Sequence, residues 1–196
     1  MPFDGVLGPA PHRMADPGAG ELFLFRTSAR GAAGRFSFEW HLAPGFHGPG
    51  EHAHPNESET FRILSGRLVV VLEGARHALG PGDTFTVPAG VVHHFEHPGN
   101  EELVAEVTLS GTWMEDQVLP ICVRFGDPER RPVTAMPQFL VHLGHWMQQG
   151  ANVPHSAFTR LLMNTSAATF RIFGLRPLPP VQGWDEVAGQ PLPHGT

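Results

Sequence analysis

The sequence contains no tyrosine and a single cysteine, Cys122. The first absence removes any phenolic general base. The second excludes a disulfide framework and a CxxC metal or redox motif, and leaves Cys122 as an expected buried, inert thiol. Basic charge is also scarce: 13 Lys and Arg stand against 19 Asp and Glu, for a net charge of −6 and a pI near 6.1. No basic face suited to a nucleic-acid backbone is visible, so no nucleic-acid partner is expected. No basic segment leads into a long apolar run near the N-terminus, and no stretch is apolar for long enough to span a bilayer. These features point to a cytoplasmic protein with no membrane partner. No internal repeat of the solenoid kind is present.

Histidine, glycine and proline are abundant, at 13, 23 and 20 residues. Glycine and proline at this level favour tight turns over long helices. Residues 1–20 are rich in Pro, Gly and Ala and read as an irregular arm. From residue 21 to 111 about eight short apolar stretches alternate with glycine-rich turns, the pattern of an all-β sandwich or barrel. In "GRFSFEWHLAPG" Phe36, Phe38, Trp40 and Leu42 fall on one face and Ser37, Glu39 and His41 on the other, as in a half-buried strand. "TFRILSG" and "RLVVVLEG" read as two strands joined by a tight turn at Ser65–Gly66. After residue 113 the texture changes to a C-terminal extension. Apolar residues at helical spacing predict a helix pair over about 136–164, followed by a Pro-rich tail.

One stretch concentrates the chemistry: "GEHAHPNESETFRILSG", residues 50–66. Residues i and i+2 of a strand share a face about 6.6 Å apart, so His52 and His54 can project together. Glu59, Phe61 and Ile63 share a face of the following strand, and antiparallel pairing would bring Glu59 back beside the histidines. Two imidazoles and a carboxylate are costly to bury without a partner, and a divalent cation is an economical one. Further on, "GDTFTVPAGVVHHFEHPGN" places His93, Phe95 and His97 on one face and His94 and Glu96 on the other.

These two stretches resemble the motifs of the cupins. The first cupin motif, G(X)5HXH(X)3-4E(X)6G, is matched by His52, His54, Glu59 and Gly66; the leading glycine, Gly45, stands one residue too far from His52. The second, G(X)5PXG(X)2H(X)3N, is matched by Gly82, Pro88, Gly90 and His93, with His97 where the family has asparagine. The resemblance covers roughly residues 34–110. It implies a mainly β fold, a jelly-roll-like, double-stranded β-barrel over residues 21–113, to which the apolar periodicity adds a C-terminal α-helical extension. It also implies one divalent metal ion per chain (Fe, Ni, Mn or Zn) held inside by His52, His54, Glu59 and His93, and a homodimer is the expected assembly. A barrel of the same fold with buried histidines and no metal is the alternative.

Three imidazoles and a carboxylate suit a transition metal better than calcium, and leave coordination positions for a small substrate. The resemblance then implies a metal-dependent enzyme, dioxygenase-like, acting on a small aromatic or enolic molecule, with Glu59 able to take a proton as catalytic base. A non-redox isomerase, epimerase or cyclase, and a non-catalytic binding module, remain as alternatives. Cupin lyases that rely on a tyrosine base match poorly. Trp40, Phe61, Phe85 and Phe95 are expected to line the barrel and, with His97, to border a substrate pocket. Glu57 misses the motif spacing and reads as a solvated turn residue. His94, His142 and His145 read as surface groups.

Overall fold

The computed structural model describes residues 13–16, 21–31, 33–45 and 50–125, together with scattered positions between 137 and 181. Nine strands come first: β1 (Arg13–Asp16), β2 (Glu21–Thr27), β3 (Phe36–Leu42), β4 (Glu59–Ser65), β5 (Leu68–Leu72), β6 (Ala75–Leu79), β7 (Thr84–Val87), β8 (His93–Glu96) and β9 (Leu103–Leu109). A helix, α1 (Trp113–Phe125), follows directly. Strands β2 to β9 are the eight expected over 21–111. The arm read as irregular contains β1, which pairs antiparallel with β2. Most of the helix pair expected over about 136–164, and most of the Pro-rich tail, lie outside the described residues, although positions 137, 138, 140–142 and 145 are helical.

The strands form two antiparallel sheets, one of six strands in the order β1-β2-β3-β9-β4-β7 and one of three in the order β6-β5-β8. Alternation sets which side chains go inward. Phe36, Phe38, Trp40 and Leu42 of β3, Phe61 and Ile63 of β4, Leu103, Ala105, Val107 and Leu109 of β9, and Leu68 and Val70 of β5 are all buried between the sheets. Phe23, Phe25, Phe36 and Phe38 form a contiguous aromatic cluster with stacked, tilted and edge-on contacts. Arg26–Glu39, Arg62–Glu106 and Arg76–Glu96 pairs decorate the outer faces.

Two turns show how the chain is routed. Glu73 and Gly74 both have positive φ, 49° and 85°, and join β5 to β6 by a two-residue hairpin of the primed type. The tight turn expected at Ser65–Gly66 is there, but it does not pair the two strands it joins. Strand β4 pairs with β7 and β9, whereas β5 pairs with β6 and β8, so the chain crosses from one sheet to the other at Gly66. Gly66 has φ 76°, and a side chain there would lie 2.6 Å from the Glu102 carbonyl oxygen and 2.8 Å from Leu103 Cα.

Helix α1 packs against the same core through Met114 and Leu119. "TWMED" (112–116) carries the Thr-x-x-Glu pattern of a helix start. His142, expected on a surface, is buried. Its Nδ1 accepts from the Leu178 N–H and its Nε2 donates to the Gln117 carbonyl, so the ring ties α1 to residues near 178.

Candidate metal centre

His52, His54, Glu59 and His93 converge, each offering one donor atom, and these atoms lie within 4.8 Å of one another. His54, Glu59 and His93 are buried. The route to this convergence differs from the strand pairing expected. Glu59 sits opposite Val87 and Leu109 in the six-stranded sheet, not opposite the histidines. His52 forms an antiparallel bridge with His93, exchanging two backbone hydrogen bonds of 2.9 and 2.8 Å, and so extends the three-stranded sheet. The Gly90 N–H also bonds the His54 carbonyl at 2.7 Å. The carboxylate therefore approaches from one sheet and His52 and His93 from the other.

The hydrogen bonds fix two of the three rings. His52 Nδ1 donates to the Gly50 carbonyl at 2.8 Å and His93 Nδ1 donates to the Val91 carbonyl at 2.9 Å. Each bond turns the other nitrogen toward the cluster, the arrangement typical of metal-ligating histidines. His93 Nε2 then lies 3.0 Å from Glu59 Oε2, and His54 Nε2 lies 3.1 Å from the same oxygen. A nitrogen lone pair facing a carboxylate oxygen needs a proton or a cation between them. Bonds of about 2.1 Å at right angles to a shared ion place neighbouring donors about 3 Å apart, the spacing of Glu59 Oε2 from His54 and His93. The four side chains thus fit a divalent transition metal. His54 departs from the pattern: its Nδ1 is buried without a hydrogen-bond partner.

For His52 and Glu59 the electrostatics favour the protonation state that binds a metal. Burial lowers the pKa of His52 to about 4, against the opposing pull of Glu59, and so keeps this ring neutral near pH 7. Burial works to raise the pKa of Glu59, but the charge of His54 and hydrogen bonds from His54 and His93 outweigh it and hold the carboxyl well below the usual carboxylate range.

The expected lining divides. Phe95 lies against the cluster, with ring centroids 5.4 Å from His52 and 5.3 Å from His93. Phe61 packs on Phe95 at 5.0 Å, and Trp40 does so at 5.7 Å while its indole N–H donates to Glu21. Phe85 is half-buried and packs, tilted, against His77 with ring centroids 4.5 Å apart. His97 is buried, but its two ring nitrogens face the carbonyl oxygens of Arg67 and Glu101 at 3.1 and 2.8 Å. It ties the end of β8 to the sheet crossover and turns neither nitrogen to a ligand.

Glu57 corrects the sequence reading. It is buried, with 3 % of its surface exposed, and its carboxylate accepts the backbone N–H groups of Trp113 and Met114. It caps α1, which satisfies amides that a helix start leaves open. No local sequence pattern predicts this, because cap and helix are separated by more than fifty residues.

Comparison with known proteins agrees with the geometry. The Cupin domain family matches residues 38–110. Germin-like protein 3-7 of Oryza sativa subsp. japonica is 33% identical over 94 residues, covering 45% of this chain and 40% of that protein. Quercetin 2,3-dioxygenase of Bacillus subtilis is 30% identical over 103 residues, covering 48% of this chain and 30% of that protein. The chain thus spans less than half the length of these curated relatives. Among solved structures, a cupin-superfamily sugar phosphate isomerase from Silicibacter pomeroyi superposes with a TM-score of 0.39 at 26% identity, over 46% of this chain and 59% of that one. Among the described residues no helix is long and apolar enough to cross a membrane. With both motifs folded into facing antiparallel sheets around a His/Glu cluster, residues 38–110 of this chain are a cupin domain.

Proposed function

We propose that the chain is a metal-dependent enzyme that binds one divalent transition-metal ion at His52, His54, Glu59 and His93 and promotes a dioxygenase-type reaction of a small aromatic or enolic substrate with O2. The observation that carries this reading is the convergence of three imidazoles and one carboxylate at a single buried point. A divalent ion there supplies Lewis acidity toward the oxygen atoms of a substrate.

The chain's own residues suit such a substrate. Phe95, backed by Phe61 and Trp40, presents an apolar aromatic wall beside His52 and His93. Glu59 is ionised and within hydrogen-bond distance of two rings, so it can accept a proton from an enol or phenol held at the cluster. The named activity of the Bacillus subtilis relative lies in the same class.

The test is elemental analysis of protein purified without added metal, followed by oxygen uptake with a panel of catechols, flavonols and diketones. About one metal per chain is expected, lost in His52→Ala with His54→Ala, together with metal-dependent oxygen uptake on at least one substrate. Equal metal content in both proteins rejects the site. Turnover without oxygen uptake favours a proton-transferring isomerase, epimerase or cyclase, for which Glu59 would serve equally. Saturable binding without turnover favours a binding module.

A further inference from the structure

The three histidines of the cluster are not held alike. His52 and His93 are each fixed by a hydrogen bond from Nδ1 to a nearby carbonyl. His54 has no such bond, although its exposure is only 2 %. A ring without that restraint can rotate about its last torsion and carry the donor nitrogen off axis. The contact that occupies this role comes from outside the cupin motifs. The Trp113 ring lies edge-on to His54, with centroids 6.0 Å apart and planes at 77°.

Trp113 is the first residue of α1, and its position depends on the cap. The Glu57 carboxylate accepts the N–H groups of both Trp113 and Met114. Glu57 lies two residues before Glu59, on the segment that leads from the His52/His54 loop into β4. That segment is pinned to the approach to α1 by a second pair of bonds: Ser58 N–H to Ser110 Oγ at 3.0 Å and Ser110 N–H to the Ser58 carbonyl at 3.2 Å. A short rigid path therefore runs from Glu57 through the start of α1 to the face of His54.

We propose that Trp113, held in place by Glu57, is the positioning residue that orients His54 for metal binding. The inference rests on the metal reading of the cluster. It gives α1 a task at the centre beyond covering the core. Neither residue offers a donor atom to the cluster. Trp113 restricts the imidazole by packing, and Glu57 acts one step further out by fixing the helix start.

The test is cobalt(II) titration of the metal-stripped full chain, read by visible absorption and by competition with a chelator. Wild type is expected to bind about one cobalt(II) ion. Trp113→Ala and Glu57→Ala should each weaken binding by about tenfold or more, the usual effect of losing an outer-shell restraint on a metal ligand, and alter the visible bands. Trp113→Phe and Glu57→Gln should restore most of the affinity, since phenylalanine keeps an aromatic edge and glutamine keeps an acceptor oxygen. The double alanine variant should resemble Trp113→Ala alone, because the two residues act in series. Glu115→Gln is the control. Glu115 also lies in the first turn of α1, but its carboxylate accepts from Ser28 and Ala29. It should lower the melting temperature and leave the cobalt spectrum unchanged. Wild-type affinity and spectrum in folded Trp113→Ala or Glu57→Ala, binding by Trp113→Phe as weak as by Trp113→Ala, or a spectral change in Glu115→Gln as large as in Glu57→Ala, overturns the proposal. A wild-type chain that takes up no cobalt(II) overturns the metal reading itself.

Discussion

Replacing Gly66 by alanine puts a methyl group where the chain crosses between the sheets. Two costs add there. The residue has φ 76°, where an L side chain costs about 1–2 kcal/mol. The new Cβ would also sit 2.6 Å from the Glu102 carbonyl oxygen and 2.8 Å from Leu103 Cα. Both obstacles are backbone, and Leu103 is fully buried, so neither yields by a rotamer change. Overpacking of this kind costs about 1–3 kcal/mol. The total is about 2–5 kcal/mol, which for a chain of this size lowers the melting temperature by roughly 2–4 °C per kcal/mol. Gly74→Ala separates the two contributions. Gly74 has a similar φ, 85°, but nothing lies within 4 Å of the position a Cβ would take. It should lose only the conformational part, about 1–2 kcal/mol. Thermal unfolding followed by circular dichroism, with urea titration of both variants, measures the difference. Equal destabilisation of the two would refute the collision argument, and a Gly66→Ala protein as stable as wild type would refute the backbone argument too.

Glu59→Gln removes a charge while keeping shape and one oxygen donor. It should retain a substantial share of bound metal, which rests mainly on the imidazoles, and lose turnover by about 100-fold or more on whichever substrate the panel identifies; undiminished turnover per bound metal would reduce Glu59 to a ligand. The metal-free protein should also lose stability on mild acidification. His52 has a folded pKa of about 4, and burial lowers that of His142 as well, both below the value near 6.5 of an unfolded histidine. Their contribution is present above pH 6.5 and is lost as pH falls toward 4, up to about 3 kcal/mol for His52 at about 1.4 kcal/mol per pKa unit. Glu59, depressed below the ordinary carboxylate value, adds its own loss below that range. The urea midpoint in the presence of a chelator should fall steadily between pH 7 and 4.5, and a flat profile would contradict the burial of these rings.

The donors could be read from the sequence because they lie at fixed spacings on short strands. His52, His54, Glu59 and His93 needed only period-2 parity and the motif intervals, and Phe61, Ile63 and Phe95 followed from the same alternation. Pairing was less legible. Parity says which face a residue takes but not which strand lies opposite, so Glu59 was expected beside the histidine segment and instead faces it from the other sheet. Glycine at position 66 signals a turn without telling a hairpin from a crossover. Glu57 and His142 were misread for a common reason. Each is polar and carries no local pattern, and each is buried because a distant backbone group satisfies it: the amides of α1 for Glu57, the Leu178 amide and Gln117 carbonyl for His142. Polarity predicts exposure only where no such partner waits in the fold.

The division of the donors between the two sheets has a consequence for the history of each molecule. No fragment short of residues 52–93 contains all four side chains, and even that stretch brings them together only once the sheets have closed. An unfolded or nascent chain offers little more than the His52-x-His54 pair, a weak chelate with slight preference among ions. If the cluster binds metal as proposed, selection falls to the finished cage, acting on the ions present where folding ends. Intrinsic affinities rise toward copper and nickel regardless of biological use, so local supply competes with geometry in deciding the outcome. The same chain matured in two different metal environments would carry two different ions, and its metal content after purification would record where it folded as well as what it prefers.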